Sequence, residues 1–278
     1  MADPQNLKVI RQGTEAWNRH RSQNGRRIPN LRNAVLHKLK LPGIDLRQAR
    51  LDEADLRRTD LTGADLQKSD LKLADLYGAC LVDARFEGAC LEQAWINRAD
   101  LTRASLRHAD LIYAQLKFAK LDGVDFRGAN LEDTDFLGAS AQGADFREAV
   151  IYAADFERAD LRGANFAGVE NSNMVQFKGA DLRGTDFTNA VLSYSDWHDA
   201  RWDRTTRLQG ADLSGCDLKG RDFSQMDLTG AIFKETKFEG CNFTGAILIN
   251  AIFRNADLSG ADLNGANLSG ADLRTASM

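Results

Sequence analysis

The chain has 278 residues, 43% of them hydrophobic and 27% charged, with 23 glycines, only 3 prolines and a formal charge of −4. No apolar run approaches the length of a membrane span, and the polar N-terminus does not read as a signal peptide, so a chain in aqueous solution is expected. Lys plus Arg against Asp plus Glu is 13 to 7 over residues 1–60, 8 to 8 over 61–120, 6 to 15 over 121–200 and 9 to 10 over 201–278, which makes the middle the acidic part.

Residues 3 to about 22 predict a single helix. Asp3 is placed to cap it, Pro4 suits its first turn, and Leu7, Ile10 and Trp17 fall on one side, with Gly13 a weak point. So short a helix is unstable alone, and its apolar stripe needs a surface to cover. The arginine-rich side, with Arg19, Arg21, Arg26 and Arg27, reads as a solvated face; the other reading is a site for an anion or a partner. Pro29 and Pro42 then bracket a stretch in which Leu31, Leu36 and Leu41 stand five apart, and the prolines predict a distorted first coil.

From Leu46 to Phe166 an apolar residue, large everywhere but at Ala141, stands at every fifth position, through Leu51, Leu56, Leu61, Leu66 and Leu71 to Phe146, Ile151, Phe156 and Leu161. Two places before nearly every one is a small residue, as at Ala54, Ala64, Ala74, Ala84 and Ala94, with Asp or another polar residue between. In a helix, positions five apart differ by about 140°, which would smear the leucines round the cylinder. In a straight strand, an odd period would send successive leucines to opposite sides. Each repeat must therefore contain a corner, and the result is a solenoid of short extended segments rising about 4.8 Å per coil, hydrogen-bonded along the rod. The Asp before each large residue can accept from a nearby backbone N–H. Gly recurs two places after the large residue, at Gly63, Gly78 and Gly88, where a turn needs freedom in φ. The many carboxylates thus read first as turn formers.

The repeat, as it stands in ADLTG ADLQK SDLKL ADLYG, resembles the pentapeptide-repeat family over about residues 31–276. The resemblance implies an all-β solenoid, a right-handed quadrilateral β-helix with four pentapeptides per coil. Phe126, Phe146 and Phe166 recur at twenty, with Phe136 and Phe156 between them, as two opposite faces would show. Residues 1–30 are then a short N-terminal capping α-helix and linker, and 31–276 the β-helix. The register slips by one residue near 170–174, resuming at Phe177, and again near 203–207, restarting at Leu208 and running to Leu273. If each slip is one bulged residue, Phe177 continues the column of Phe136 and Phe156, and Phe187 that of Phe166, which favours bulges over looped-out insertions. The segments add up to about 12 coils and a rod of about 58 Å.

Chemistry is expected to be absent. His20, His37, His108 and His198 lie far apart, no Cys or His sits at metal-ligand spacing, and no phosphate loop, nucleophile elbow or dinucleotide fingerprint occurs. No catalytic residue, metal or cofactor is therefore expected. Cys80 and Cys90 fall on opposite sides of a coil and Cys216 and Cys241 at the small inward place, none positioned to pair, which suits a reducing cytoplasm. Three departures stand out. Arg221 takes a small inward place, from which it is expected to escape through a widened corner or to pair with an acid. Trp197 and Trp202 replace leucine before the second slip and should widen the coil there. Trp95 stands where Asp usually does, facing out, as a contact candidate.

The reading is a non-enzymatic rod that holds a protein partner of unknown identity on a flat face, with no direct nucleic-acid or membrane contact. The alternative is a regulator of a DNA-handling enzyme, because the resemblance extends to members that mimic duplex DNA and act on DNA gyrase. Residues 121–200 carry a net charge of −9 over about 19 Å, one charge per about 2 Å, against 1.7 Å for B-DNA. Sorting outward residues by coil places Leu73, Ile112, Tyr113, Val150, Tyr152, Val191, Tyr194, Ile232 and Ile252 on one apolar side, the expected protein-binding surface, with Trp95, Phe118 and Ile247 as scattered exceptions elsewhere. The other reading of the stripe is coil-to-coil stacking that stiffens the sheet. At the C-terminal end Leu258, Leu263, Leu268 and Leu273 form a near-perfect last coil with no capping helix encoded after it, so a tail-to-tail homodimer is expected there.

Overall fold

The computed structural model describes residues 1–24, 27–170 and 172–278. From residue 30 onward the chain climbs by single parallel bridges between residues 20 apart, Asn30 to Arg50, Arg50 to Asp70 and so on to Asp257 and Ser277. Besides a bond from each turn to the next coil (Gly63 N–H to Val82 O, 2.8 Å), three backbone hydrogen bonds repeat along it. The large residue donates to the bridging carbonyl one coil on (Leu36 N–H to Asp55 O, 2.9 Å), and the bridging residue donates back to the small residue one coil below (Asp55 N–H to Ala34 O, 2.9 Å). The third closes a turn, as where Ala64 N–H reaches Leu61 O at 2.9 Å. Its third residue has φ near +60°, at Gly63 (+64°) as at Leu73 (+59°), the geometry of a type II turn. This is the corner that the five-residue period demands. The chain is a solenoid.

Inside, the large residues from Leu31 to Leu258 are sealed from solvent, except half-buried Trp202, and stack in columns at the coil interval. Phe126, Phe146, Phe166 and Phe187 form one aromatic column, with stacked centroids 4.9, 4.3 and 5.2 Å apart. Phe136, Phe156, Phe177 and Trp197 form another, at 4.6, 5.6 and 4.7 Å. The two meet edge-on across the interior, Phe146 lying 6.2 Å from Phe136 and 5.5 Å from Phe156. Threonine at the small place keeps its hydroxyl satisfied by donating to a carbonyl one coil back, as Thr134 Oγ1 does to Leu111 O at 2.8 Å.

Both slips lengthen a coil by one residue, since Asp155 bridges to Gln176, Asn165 to Asp186 and Asp186 to Arg207. The aromatic columns run through the first slip unbroken, and buried Ser172 fills the core place between Ile151 and Leu192. The second slip leaves a seam. Among the described residues no bridge joins Asp196 to Asp217 or Arg201 to Asp222, where the register would put them. Arg221 reaches into this gap.

Two expectations are corrected. The N-terminal segment is two helices, α1 (Pro4–Ile10) and α2 (Thr14–Gln23), because Gly13 takes φ +99° and breaks the single helix expected over 3–22. Asp3 caps α1 by accepting from Gln5 N–H at 2.8 Å. Trp17 of α2 is fully buried and donates to Asp45 O (2.7 Å), while Asn18 pairs with Gly43 O and Asp45 N–H, so the pair covers the first coil. That coil is also not distorted. Pro42 and Gly43 occupy the second and third places of a turn, the residues that a type II turn favours, and the ladder starts at Asn30.

Candidate protein-binding surface

The carboxylates serve the turns, as their recurrence implied. Asp75 accepts from Tyr77 N–H (3.0 Å), Asp60 from Thr62 N–H (3.1 Å), and the same bond to the N–H two residues on recurs along the rod. Many of these carboxylates also bind an arginine at that second place. Arg57 on Asp55, Arg162 on Asp160 and Arg183 on Asp181 each make two side-chain bonds, which hold those carboxyls below the usual carboxylate range. Asp155 is pushed the other way, by burial and by Asp135 and Glu157 close to it. Among the described residues no group of three His, Cys, Asp or Glu could hold a metal ion, and no helix is long and apolar enough to cross a membrane.

The bridges put every residue of the expected stripe on the side of the Leu31 column: Asn130 to Val150, then Val191 to Asp212, Asp212 to Ile232 and Ile232 to Ile252. What is exposed is its middle and Leu73. Tyr113 (54%), Val150, Tyr152 and Tyr194 (60%) stand out, with Leu73 nearer the N-terminal end, whereas Ile112, Val191, Ile232 and Ile252 are half-buried between coils. Charged pairs close both ends, Lys72 with Glu92 (2.6 Å) and Arg254 with Asp272 (2.5 Å). Met174 joins the patch, accepting from Tyr152 Oη at 3.5 Å. The sequence reading missed it because Met174 falls inside the first slip. The Asp133 carboxylate beside Tyr113 pushes its phenol above the ordinary value. Leu73, Tyr113, Met174 and Tyr194 all occupy the turn place at φ between +57° and +63°. A side chain there costs about 1 kcal/mol or more against glycine, and none of the four seals the core.

Trp95 and Phe118 are not scattered. They lie on the next side, that of the Leu36 column, together with Val35 and Tyr77. Here the surface carries an open groove of about 710 Å³, lined by His37, Lys38, Arg57, Arg58, Asp75, Tyr77, Trp95, Asn97 and Gln115. These residues come from five successive coils, so only the twenty-residue register, applied to every aromatic, could have assembled them. Ile247 belongs to the Leu46 column.

The remaining oddities are structural. Arg221 neither escapes nor finds an acid: its guanidinium donates to Ala200 O (3.0 Å) and Trp197 O and lies 5.2 Å from the Trp202 ring centroid. Trp202 Nε1 donates to Asp222 O (3.1 Å), so these two side chains stand in for the missing ladder. Arg21 is bound to the carbonyls of Arg27 and Arg47 and belongs to the cap, and Arg26 lies outside the described residues. All four cysteines are free, and burial pushes the Cys216 thiol up to about 12. At the C-terminal end Leu258 is buried and Leu263, Leu268 and Leu273 are half-buried.

A parallel-bridged solenoid with a five-residue turn repeat and no assembled reactive centre among its described residues defines a class of repeat protein, and the family follows from the sequence match. Pentapeptide repeats match in eight copies over residues 30–67, 54–93, 96–128, 129–168, 175–201, 206–245 and 238–278. The chain belongs to the pentapeptide-repeat family, and with that membership goes the right-handed β-helix. Among solved structures it is similar to HetL, a pentapeptide repeat protein involved in heterocyst differentiation regulation in the cyanobacterium Nostoc sp. strain PCC 7120, at 26% identity over 93% of this chain and 94% of HetL, with a TM-score of 0.26. A pentapeptide repeat protein of the Arabidopsis thaliana thylakoid lumen is 35% identical over 32% of this chain and 65% of that one, with a TM-score of 0.26. QnrB1, a plasmid-mediated fluoroquinolone resistance protein, is 23% identical over 83% and 91%, with a TM-score of 0.23. Among curated proteins no match was found.

Proposed function

We propose that this chain is a non-enzymatic, cytoplasmic scaffold, a four-sided β-helix of about 12 coils and about 58 Å that holds a protein partner on the side of the Leu31 column. The observation that carries it is the patch of Tyr113, Val150, Tyr152, Met174 and Tyr194, exposed at turn and bridge places where a glycine or a polar residue would cost less. Tyrosine and methionine offer contact area with little rotamer entropy to lose, or with easy adaptation, and suit a binding surface. Half-buried Ile112, Val191, Ile232 and Ile252 are the flanks of the same surface. The test is Tyr113→Glu with Tyr152→Glu. The double variant should keep its circular dichroism and its melting temperature to within a few degrees and lose the partner recovered from the native host. A lowered melting temperature with the partner still captured assigns the patch to coil stacking instead.

An end-on contact between two copies through half-buried Leu263, Leu268 and Leu273, against Leu258, belongs to the same proposal. A strict monomer in light scattering at high concentration refutes it. The DNA-mimic reading has the charge density of residues 121–200 in its favour. Against it, the carboxylates there spread over all sides, and Asp125, Asp145, Asp160 and Asp181 are each bound by an arginine. Unchanged DNA gyrase supercoiling at micromolar protein removes it.

A further inference from the structure

We propose that the groove on the side of the Leu36 column is a second binding site, for an extended acidic peptide segment that carries an aromatic or aliphatic side chain. Trp95 (52% exposed), Tyr77 and Phe118 (53%) rise from three successive coils, and no core packing accounts for their exposure. The cations round them are of two kinds. Arg57 is spent on Asp55 (2.7 Å) and Asp75 (3.5 Å), but Lys38 and Arg58, which line the groove, make no ion pair among the described residues. The Arg58 stem passes over Gly78, 3.6 Å from where a Cβ would stand, so the glycine leaves room for the side chain to lie along the groove. Arg98 lies 5.5 Å from the Phe118 ring centroid at the far end.

The occupant follows from charge, length and backbone. Two unpaired cations beside exposed rings match one or two carboxylates and an apolar side chain. A nucleic acid strand fits less well, because it sets a phosphate at every nucleotide along the groove, whereas only Lys38 and Arg58 among the lining residues are cations without an ion pair. From His37 to Gln115 the groove crosses four coil steps, about 19 Å, the length of about six extended residues. The backbone there is already used along the rod, with Leu76 N–H on Trp95 O (2.8 Å) and Ile96 N–H on Gln115 O (2.7 Å). A peptide therefore cannot add as a strand and must be read by side chains, with the amides of Asn97 and Gln115 on the floor as polar partners.

The test titrates the whole chain into a fluorescent eight-residue peptide that repeats Glu-Glu-Phe-Phe or Glu-Glu-Leu-Leu, so that each face of the extended peptide carries both kinds of side chain, read by polarisation. Tryptophan emission is followed in parallel; Trp17 and Trp197 are buried and Trp202 is half-buried away from the groove, so the part of the signal that Trp95→Ala removes is the readout. Saturable binding is expected, weakened about tenfold or more by Arg58→Glu and by Trp95→Ala, both exposed sites whose variants keep the β-helix dichroism, and weakened by salt. The Tyr113→Glu, Tyr152→Glu variant should bind as well as the parent, which separates this site from the surface proposed above. No saturable binding up to millimolar peptide overturns the proposal, as does equal binding of the same peptide with lysine for glutamate. Tighter binding of an oligothymidine hands the groove to single-stranded nucleic acid, and a dimer in sedimentation that Trp95→Ala abolishes hands it to a second copy; either result overturns it.

Discussion

Replacing Arg221 with alanine restores the small residue that the repeat uses at this place, so pattern alone predicts a gain in stability. The structure predicts a loss. The guanidinium makes two charge-assisted bonds, to Ala200 O and Trp197 O, where the ladder is interrupted. Trp197 O also accepts from Ala200 N–H (3.0 Å), so only Ala200 O is left without a partner among the described residues when Arg221 is cut back. An unpaired buried acceptor costs about 1–3 kcal/mol, and loss of the contact with the Trp202 ring about 0.5–2 kcal/mol, for a total of roughly 1.5–5 kcal/mol. Arg221→Lys keeps the charge without the fork and should cost about half of that. In a solenoid the loss falls on one interface between coils, so urea unfolding followed by dichroism should split into two transitions. Hydrogen exchange should show early opening around residues 197–222. A variant as stable as the parent, with new protection at residue 222, would mean that the ladder closes once the arginine is gone, and the reasoning would fail.

Two further outcomes are expected. Phe146→Leu removes two stacked and two edge contacts but inserts a residue that the same column already uses at Leu106, so it should cost about 1–3 kcal/mol by urea midpoint, and less than additively when combined with Phe166→Leu. Asp160 and Asp181 are held low by Arg162 and Arg183, and Asp257 is held at about 2 by Ser259. Carboxyls lower in the folded than in the unfolded chain stabilise it above about pH 4 and lose that contribution as pH falls through their folded values. The melting temperature should be flat from pH 7 to 5 and fall between about pH 4 and 2, with Asp155, which is raised, acting in the opposite sense. A melting temperature that holds or rises to pH 2.5 would refute the role of these pairs.

The five-residue period by itself determined the solenoid, the inward columns and the turn role of the Asp, because each follows from a corner at every repeat; the side on which Tyr113, Tyr152 and Tyr194 stand needed in addition the four repeats per coil that the family resemblance implied. A local signal that recurs along the chain cannot be misplaced. Pro42 and Gly13 were legible too, but their effects depended on neighbours: the proline met a turn that wanted it, and the glycine had room to break the helix. Tertiary structure alone decided the rest. Tyr77 and Trp95 become one groove, with Phe118 on the same side beyond it, only because the coils stack them, and Ile232 differs from Tyr194 in exposure only because of what the adjoining coils place beside it. The same holds at Arg221, whose partners are carbonyls freed where the bridges stop, and a break in the ladder leaves no mark in composition or period.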